Sequence, residues 1–131
     1  MDHRSLFLRR VLIVDAATSA ACGLLLLIDT QLFADLFGLP AALLRETGII
    51  FLPFAALVAV LATRETISLT GVWIVIAGNI AFVLASISLL MGGFVSPTLL
   101  GKAFVIAQAV IVAIIAEAEY LGLRKVGRLA A

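Results

Sequence analysis

The chain has 131 residues, of which 64% are hydrophobic and only 13% are charged, and its formal net charge is +1. Because a soluble domain carries about 25% charged residues, this composition excludes a mostly water-exposed surface and predicts that lipid surrounds the molecule. The low net charge argues against a nucleic-acid partner, which requires a basic face. A single cysteine excludes an internal disulfide, and we expect neither a metal nor a cofactor.

Four apolar stretches follow one another along the chain, each long enough to cross a bilayer as a helix of about 20 residues. The predicted spans are about 8–28, 40–63, 67–91 and 98–122. The turns TRET and GGFVSP are so short that spans two and three, and spans three and four, are predicted to be antiparallel neighbours. We expect Pro97 in the first turn of the fourth span.

The segment DTQLFADLFGLP separates the first two spans. It predicts a short amphipathic helix in the headgroup region, capped by Asp29 or Thr30 and ended by Gly38. The predicted fold class is therefore all-α: a four-helix transmembrane bundle of antiparallel hairpins, forming a single domain over residues 1–131, with one short interfacial helix.

Basic residues are distributed unevenly between the two ends of this bundle. Arg45 and Lys102 lie on one side, and seven lie on the side that the chain termini share: Arg4, Arg9, Arg10, Arg64, Arg124, Lys125 and Arg128. The positive-inside rule then predicts that both termini are cytoplasmic. Trp73 and Tyr120 are expected together at that same interface.

Asp15 is a carboxylate within the first span, where a charged side chain costs about 2.5–3.5 kcal/mol at the membrane centre. Thr18, Ser19 and Cys22 lie within about 60° of Asp15 around the helix and extend it into a polar stripe. One hypothesis is that the stripe lines a proton or cation path in which Asp15 titrates. The other is that Asp15 forms a structural ion pair with a basic residue at the same end: Arg9, Arg10, Arg64 or Lys125.

Glu117 and Glu119 interrupt the fourth span near its end. They flank a seam of small residues on opposite sides, and they lie within about two turns of Arg124 and Lys125. We therefore interpret both glutamates as marking the membrane boundary. A gate or a partner contact is the alternative.

Asn79 and Gln108 are two amides expected at similar depth on spans three and four. A hydrogen bond between them is predicted to join these helices, with a stabilisation of about 0.6 kcal/mol. The alternative is that the two amides line a polar pocket for a lipid-like or quinone-like ligand.

Two stretches, LFGLPAALLRETG and PTLLGKAFVIAQAVIVAIIAEAEYLGLR, resemble a group of small four-span bacterial membrane proteins of unknown function. The resemblance implies a multi-pass protein of the bacterial inner membrane. It transfers no catalytic residue.

The sequence contains no HExxH, GxSxG or phosphate-binding glycine loop, so we predict no catalytic residues and no enzyme activity. The predicted function is that of an accessory or structural membrane protein, surrounded by lipid and present as a homo-oligomer or in a larger assembly. Two alternatives stay open. One is a small proton-coupled transporter that uses Asp15, and the other is a protein that binds a lipid-like or quinone-like ligand between spans three and four.

Overall fold

The computed structural model describes residues 3–93 and 95–130, and the side chains of residues 6–93 and 95–126. These residues form five α-helices: α1 (His3–Ile28), α2 (Thr30–Phe37), α3 (Ala41–Thr63), α4 (Leu69–Met91) and α5 (Leu99–Ala130). All but α2 are long and apolar enough to cross a membrane. The predicted fold class is confirmed: the chain is a multi-pass bundle of four helices, with a short helix between the first two spans.

The four long helices form a ring in which α1 packs against both α3 and α5, and α4 packs mainly against α5. The most extensive contact joins α1 to α3, where the absence of side chains on Gly23 and Gly48 lets the two backbones come close together. The predicted pairing of spans three and four is confirmed by the extensive contact between α4 and α5.

The contact between α3 and α4 is much smaller. Aromatic side chains separate these two helices: the ring of Phe54 lies against Gly78, and the rings of Phe51 and Phe82 meet edge to face with their centroids 5.2 Å apart. Large side chains hold helix axes further apart than small ones do. The short turn therefore makes α3 and α4 neighbours in sequence without making them pack closely.

One end of the bundle, here called the basic end, contains the start of α1, the turn 64–68 and the end of α5. The Arg9 guanidinium is buried there and donates to the carbonyls of Ala62, Arg64 and Glu65, at 2.6 Å for Arg64 and 3.3 Å for Glu65. The last carbonyls of a helix lack partners within it. Arg9 therefore caps α3 and fastens it to α1.

The other end, here called the α2 end, is held by hydrogen bonds from Thr98. Its backbone N–H donates to the Phe37 carbonyl at 2.9 Å, and its hydroxyl donates to the Leu36 carbonyl at 2.7 Å. The same hydroxyl accepts from the N–H of Gly101 at 3.0 Å, so Thr98 caps α5. The prediction that Pro97 occupies the first turn of this helix is wrong, because the Thr98 cap places the first turn after it.

The caps predicted for α2 are present. The Asp29 side chain accepts from the Leu32 N–H at 3.3 Å, and Gly38 ends the helix in the left-handed conformation at φ 66°. Glycine adopts this conformation without the steric cost that a Cβ brings. The location of α2 in the headgroup region stays a prediction.

Candidate functional site

Three buried polar side chains from three different helices meet inside the bundle. Asp15 on α1, Asn79 on α4 and Glu119 on α5 are 3%, 5% and 0% exposed. The Asn79 amide nitrogen donates to Asp15 Oδ2 at 3.0 Å and to Glu119 Oε1 at 2.7 Å. Ser19, one turn after Asp15, donates to Asp15 Oδ1 at 3.2 Å. We call Asp15, Asn79 and Glu119 the polar cluster.

The polar cluster lies well within the apolar spans. Asn79 follows the start of α4 at Leu69 by roughly 15 Å at 1.5 Å per residue. Glu119 precedes the end of the apolar part of α5, at Val126, by roughly 10 Å. Polar side chains at such depth are expensive, and they usually face the bundle interior or a cavity.

The interpretation of Glu119 as a boundary marker is wrong, because this side chain is fully buried and bonded to Asn79. Glu117 is exposed, as expected of a residue near the membrane boundary. The two residues are about 160° apart around the helix, so one of them faces inward when the other faces outward. The sequence shows that they are on opposite sides, but it does not show which side packs against the other helices.

The predicted hydrogen bond between Asn79 and Gln108 is also wrong. Asn79 reaches across the ring to the two carboxyl groups, which are stronger acceptors than an amide oxygen. Gln108 lies nearer the α2 end and donates to the sulfur of Cys22 on α1 at 3.5 Å. The two amides therefore make separate contacts, but both of them line the cavity described below.

The ion-pair hypothesis for Asp15 is contradicted by the partners that the described side chains adopt. Arg9 is occupied by the carbonyls at the end of α3, while Arg10 and Arg64 are exposed. Lys125 lies over the ring of Phe7 at 4.4 Å. Asp15 bonds instead to Ser19 and Asn79.

Thr18, another predicted member of the polar stripe, does not bond to the Asp15 carboxylate. Its hydroxyl donates to the backbone carbonyls of Val14 at 2.9 Å and of Asp15 at 3.1 Å. The stripe therefore contributes Ser19, and not Thr18, to the hydrogen bonding of the acid.

The two carboxyl groups are close enough to affect each other strongly. Both accept from one nitrogen, so the accepting oxygens are less than about 6 Å apart. Two full charges at roughly 5 Å would repel by about 3 kcal/mol at an effective dielectric constant of 20. Among the described residues, Glu119 Oε2 is buried without a hydrogen-bond partner. This arrangement is suited to holding a proton or a cation.

A cavity of about 520 Å³ runs from the polar cluster toward the α2 end. Asp15, Ser19 and Asn79 line its inner end, which we call the floor, whereas Glu119 lies behind them and does not line it. The walls are predominantly apolar and include residues of all four long helices: Leu26, Leu44, Phe51, Phe54, Phe82, Leu89, Phe104, Val105, Ile111, Val112 and Ile115. The cavity is thus mainly apolar along its length, although Thr47, Ser86 and Gln108 also line it, and it carries a carboxyl group at its inner end.

The cavity opens sideways between α3 and α4. Six of the lining residues are also exposed on the outside of the bundle: Thr18, Ile50, Gly78, Ala81, Ala85 and Ile111. The four on α3 and α4, which are Ile50, Gly78, Ala81 and Ala85, lie where the ring is least closely packed, and we take them as the mouth. Three of these four residues are small, and the Phe54 ring lies against one of them, Gly78. Because the mouth faces outward along the spans, it opens toward the acyl chains of a surrounding membrane.

No family model, no curated protein and no solved structure matches the chain. The four spans are observed, but the resemblance to small four-span bacterial proteins stays a prediction. The cavity and the hydrogen bonds inside it are therefore the basis for a proposal about function.

Sequence reasoning found every member of the polar cluster but did not group them. Asp15, Asn79 and Glu119 are all polar residues within apolar spans, and that rarity is the signal that could have joined them. The cluster was missed because Glu119 was assigned to the boundary together with Glu117.

Proposed function

We propose that this protein binds an amphipathic, lipid-soluble molecule inside the membrane. The apolar part of the ligand occupies the cavity, and its polar head lies at the floor beside Asp15. The observation that carries the proposal is a cavity of about 520 Å³ that opens toward lipid and ends on a buried carboxyl group. Ligand sites typically have volumes of about 300–1,000 Å³, with apolar walls and a few polar groups that orient the ligand.

The cavity favours ligand binding over the purely accessory or structural role expected from the sequence. A structural bundle is most stable when its interior is close-packed, and voids of this size weaken it. Buried carboxyl groups also cost free energy in a membrane, and they are typical of pathways and binding sites. The same carboxyl group serves the alternative of a proton-coupled transporter, in which the bound molecule would also cross the membrane.

The proposal is tested by photolabelling in lipid nanodiscs with an alkyl probe that carries a diazirine at the end of a twelve-carbon chain. We expect labelled peptides from the cavity walls on α3, α4 and α5. Ala85→Phe places a ring in the mouth and should reduce this labelling several-fold. Leu84→Phe adds an aromatic ring at the neighbouring position, which is 59% exposed and does not line the cavity, so labelling should be unchanged.

Labelling confined to the outer, lipid-facing side chains would contradict the proposal. Equal labelling of the cavity walls in both variants would do the same, because entry would then not require the mouth.

We also propose that the membrane is the bacterial inner membrane and that the basic end faces the cytoplasm. Arg9, Arg10, Arg64, Arg124 and Lys125 lie at that end, against Arg45 and Lys102 at the other, while the side chains of Arg4 and Arg128 lie outside the described residues. A green fluorescent protein fused to the C-terminus should fluoresce in a bacterial host, and a C-terminal alkaline phosphatase should be inactive. An active phosphatase would show that the C-terminus lies outside the cytoplasm and would contradict the proposed orientation.

A further inference from the structure

The polar cluster contains two acidic groups and no described basic side chain faces it. On α1, Arg9 is bound to carbonyls at the end of α3 and Arg10 is exposed. On α5, the guanidinium of Arg124 lies 5.8 Å from the centre of the Tyr120 ring, and Lys125 lies over Phe7.

The helices α3 and α4 contribute no basic side chain to the polar cluster either. The helix α4 has no charged residue. The other charged residues of α3, α5 and the turn after α3 are exposed: Arg45, Glu46, Arg64, Glu65, Lys102 and Glu117. Buried charges in proteins are normally paired. The described part of the chain does not supply the pairing cation.

The two carboxyl groups have different surroundings. Asp15 lines the cavity and accepts hydrogen bonds from Ser19 and Asn79, whereas Glu119 accepts one hydrogen bond, from Asn79. Glu119 lies behind the floor, and its Oε2 has no partner among the described residues. A single proton on Glu119 removes the repulsion between the two acids, which accept from the same Asn79 nitrogen. The pair then carries one negative charge, and this charge is located on the side that faces the cavity.

We propose that the floor binds one monovalent organic cation, such as the primary ammonium or guanidinium head of an amphipathic molecule. The cation pairs with the Asp15 carboxylate while Glu119 keeps its proton. This inference rests on the proposed function, and it adds the chemical class of the ligand. The apolar walls match an organic cation better than a metal ion, since no three described His, Cys, Asp or Glu side chains are grouped to hold a metal.

The head group is tested with two competitors that share one tail, dodecylammonium and dodecanol. Each is titrated against the diazirine probe in nanodiscs of zwitterionic lipid, and its concentration in the bilayer is calibrated with nanodiscs that lack protein. Charge-assisted hydrogen bonds are about twice as strong as neutral ones, so the ammonium should displace the probe at a roughly tenfold lower bilayer concentration than the alcohol.

Three variants test which of the two acids carries the negative charge that pairs with the ammonium group. Asp15→Asn should make the two competitors equally effective, because the carboxylate is gone. Glu119→Gln should keep the preference for ammonium, because the amide replaces a group that is already neutral. Glu117→Gln removes an exposed acid two residues away and should also keep the preference.

The inference is overturned if ammonium and alcohol displace the probe equally from the unaltered protein, a comparison that depends on no variant. In that case the binding site itself still stands, since both molecules compete for it. Loss of the preference in Glu119→Gln together with its retention in Asp15→Asn would also overturn it, because the charge would then be on the other acid. If the cavity walls of the unaltered protein are not labelled at all, the proposed function fails as well.

Discussion

Asn79 is the residue on which the interior of the bundle depends most directly. Its amide nitrogen is the only described donor that reaches both Asp15 and Glu119, so one side chain connects α1, α4 and α5. In a low-dielectric interior, such a network contributes more than its separate hydrogen bonds suggest. An amide that donates to two carboxyl groups also offsets part of the repulsion between them.

Replacing Asn79 by leucine should therefore destabilise the protein. The change removes both hydrogen bonds and leaves two acidic groups without their common donor, which should cost about 2 kcal/mol or more of unfolding free energy. The unfolding free energy is measured by titration with sodium dodecyl sulfate in mixed micelles.

Gln108→Leu is the matched control for Asn79→Leu. It also removes an amide from inside the bundle, but this amide has only a 3.5 Å contact with the Cys22 sulfur, a weak acceptor. We expect the loss of unfolding free energy in Gln108→Leu to be less than half of the loss in Asn79→Leu. Equal losses in the two variants would show that the polar cluster adds no stability of its own.

At the scale of the helices, hydropathy and cap residues were sufficient to predict which elements form. The charge-free stretch between Glu65 and Lys102 contains all of α4 and the start of α5. Asp29 and Gly38 act locally, and both were predicted to bound α2 because a cap depends only on its nearest neighbours in sequence. The start of α5 was placed too early, since Thr98 caps it through contacts that include α2.

Helix orientation within the bundle could not be predicted in the same way. The apolar character of a transmembrane helix extends around its circumference, so hydropathy gives little indication of which side faces the other helices. Glu117 and Glu119 illustrate this, because the outward or inward position of each depends on how α5 packs against α1 and α4. The gap between α3 and α4 likewise depends on where Phe51, Phe54 and Phe82 point.

At the scale of the whole molecule, the cavity and the polar cluster result from the arrangement of the four long helices. Their ring leaves α3 and α4 apart along part of their length, and the polar cluster crosses the ring behind that gap. The aromatic rings of Phe37 and Phe104 stack at the α2 end, with their centroids 4.4 Å apart. The result is a mainly apolar cavity whose mouth lies between α3 and α4 and whose floor contains a carboxyl group.

The central claim is that this cavity holds an amphipathic molecule. It is tested most directly by native mass spectrometry. The protein is released gently from the membrane in which it was made, so that a bound molecule is retained. We expect a population heavier than the chain by one defined small molecule, and this population should be depleted in the Ala85→Phe variant and retained in Leu84→Phe. A bare chain, or a spread of lipid adducts that is the same in all three proteins, would contradict the account.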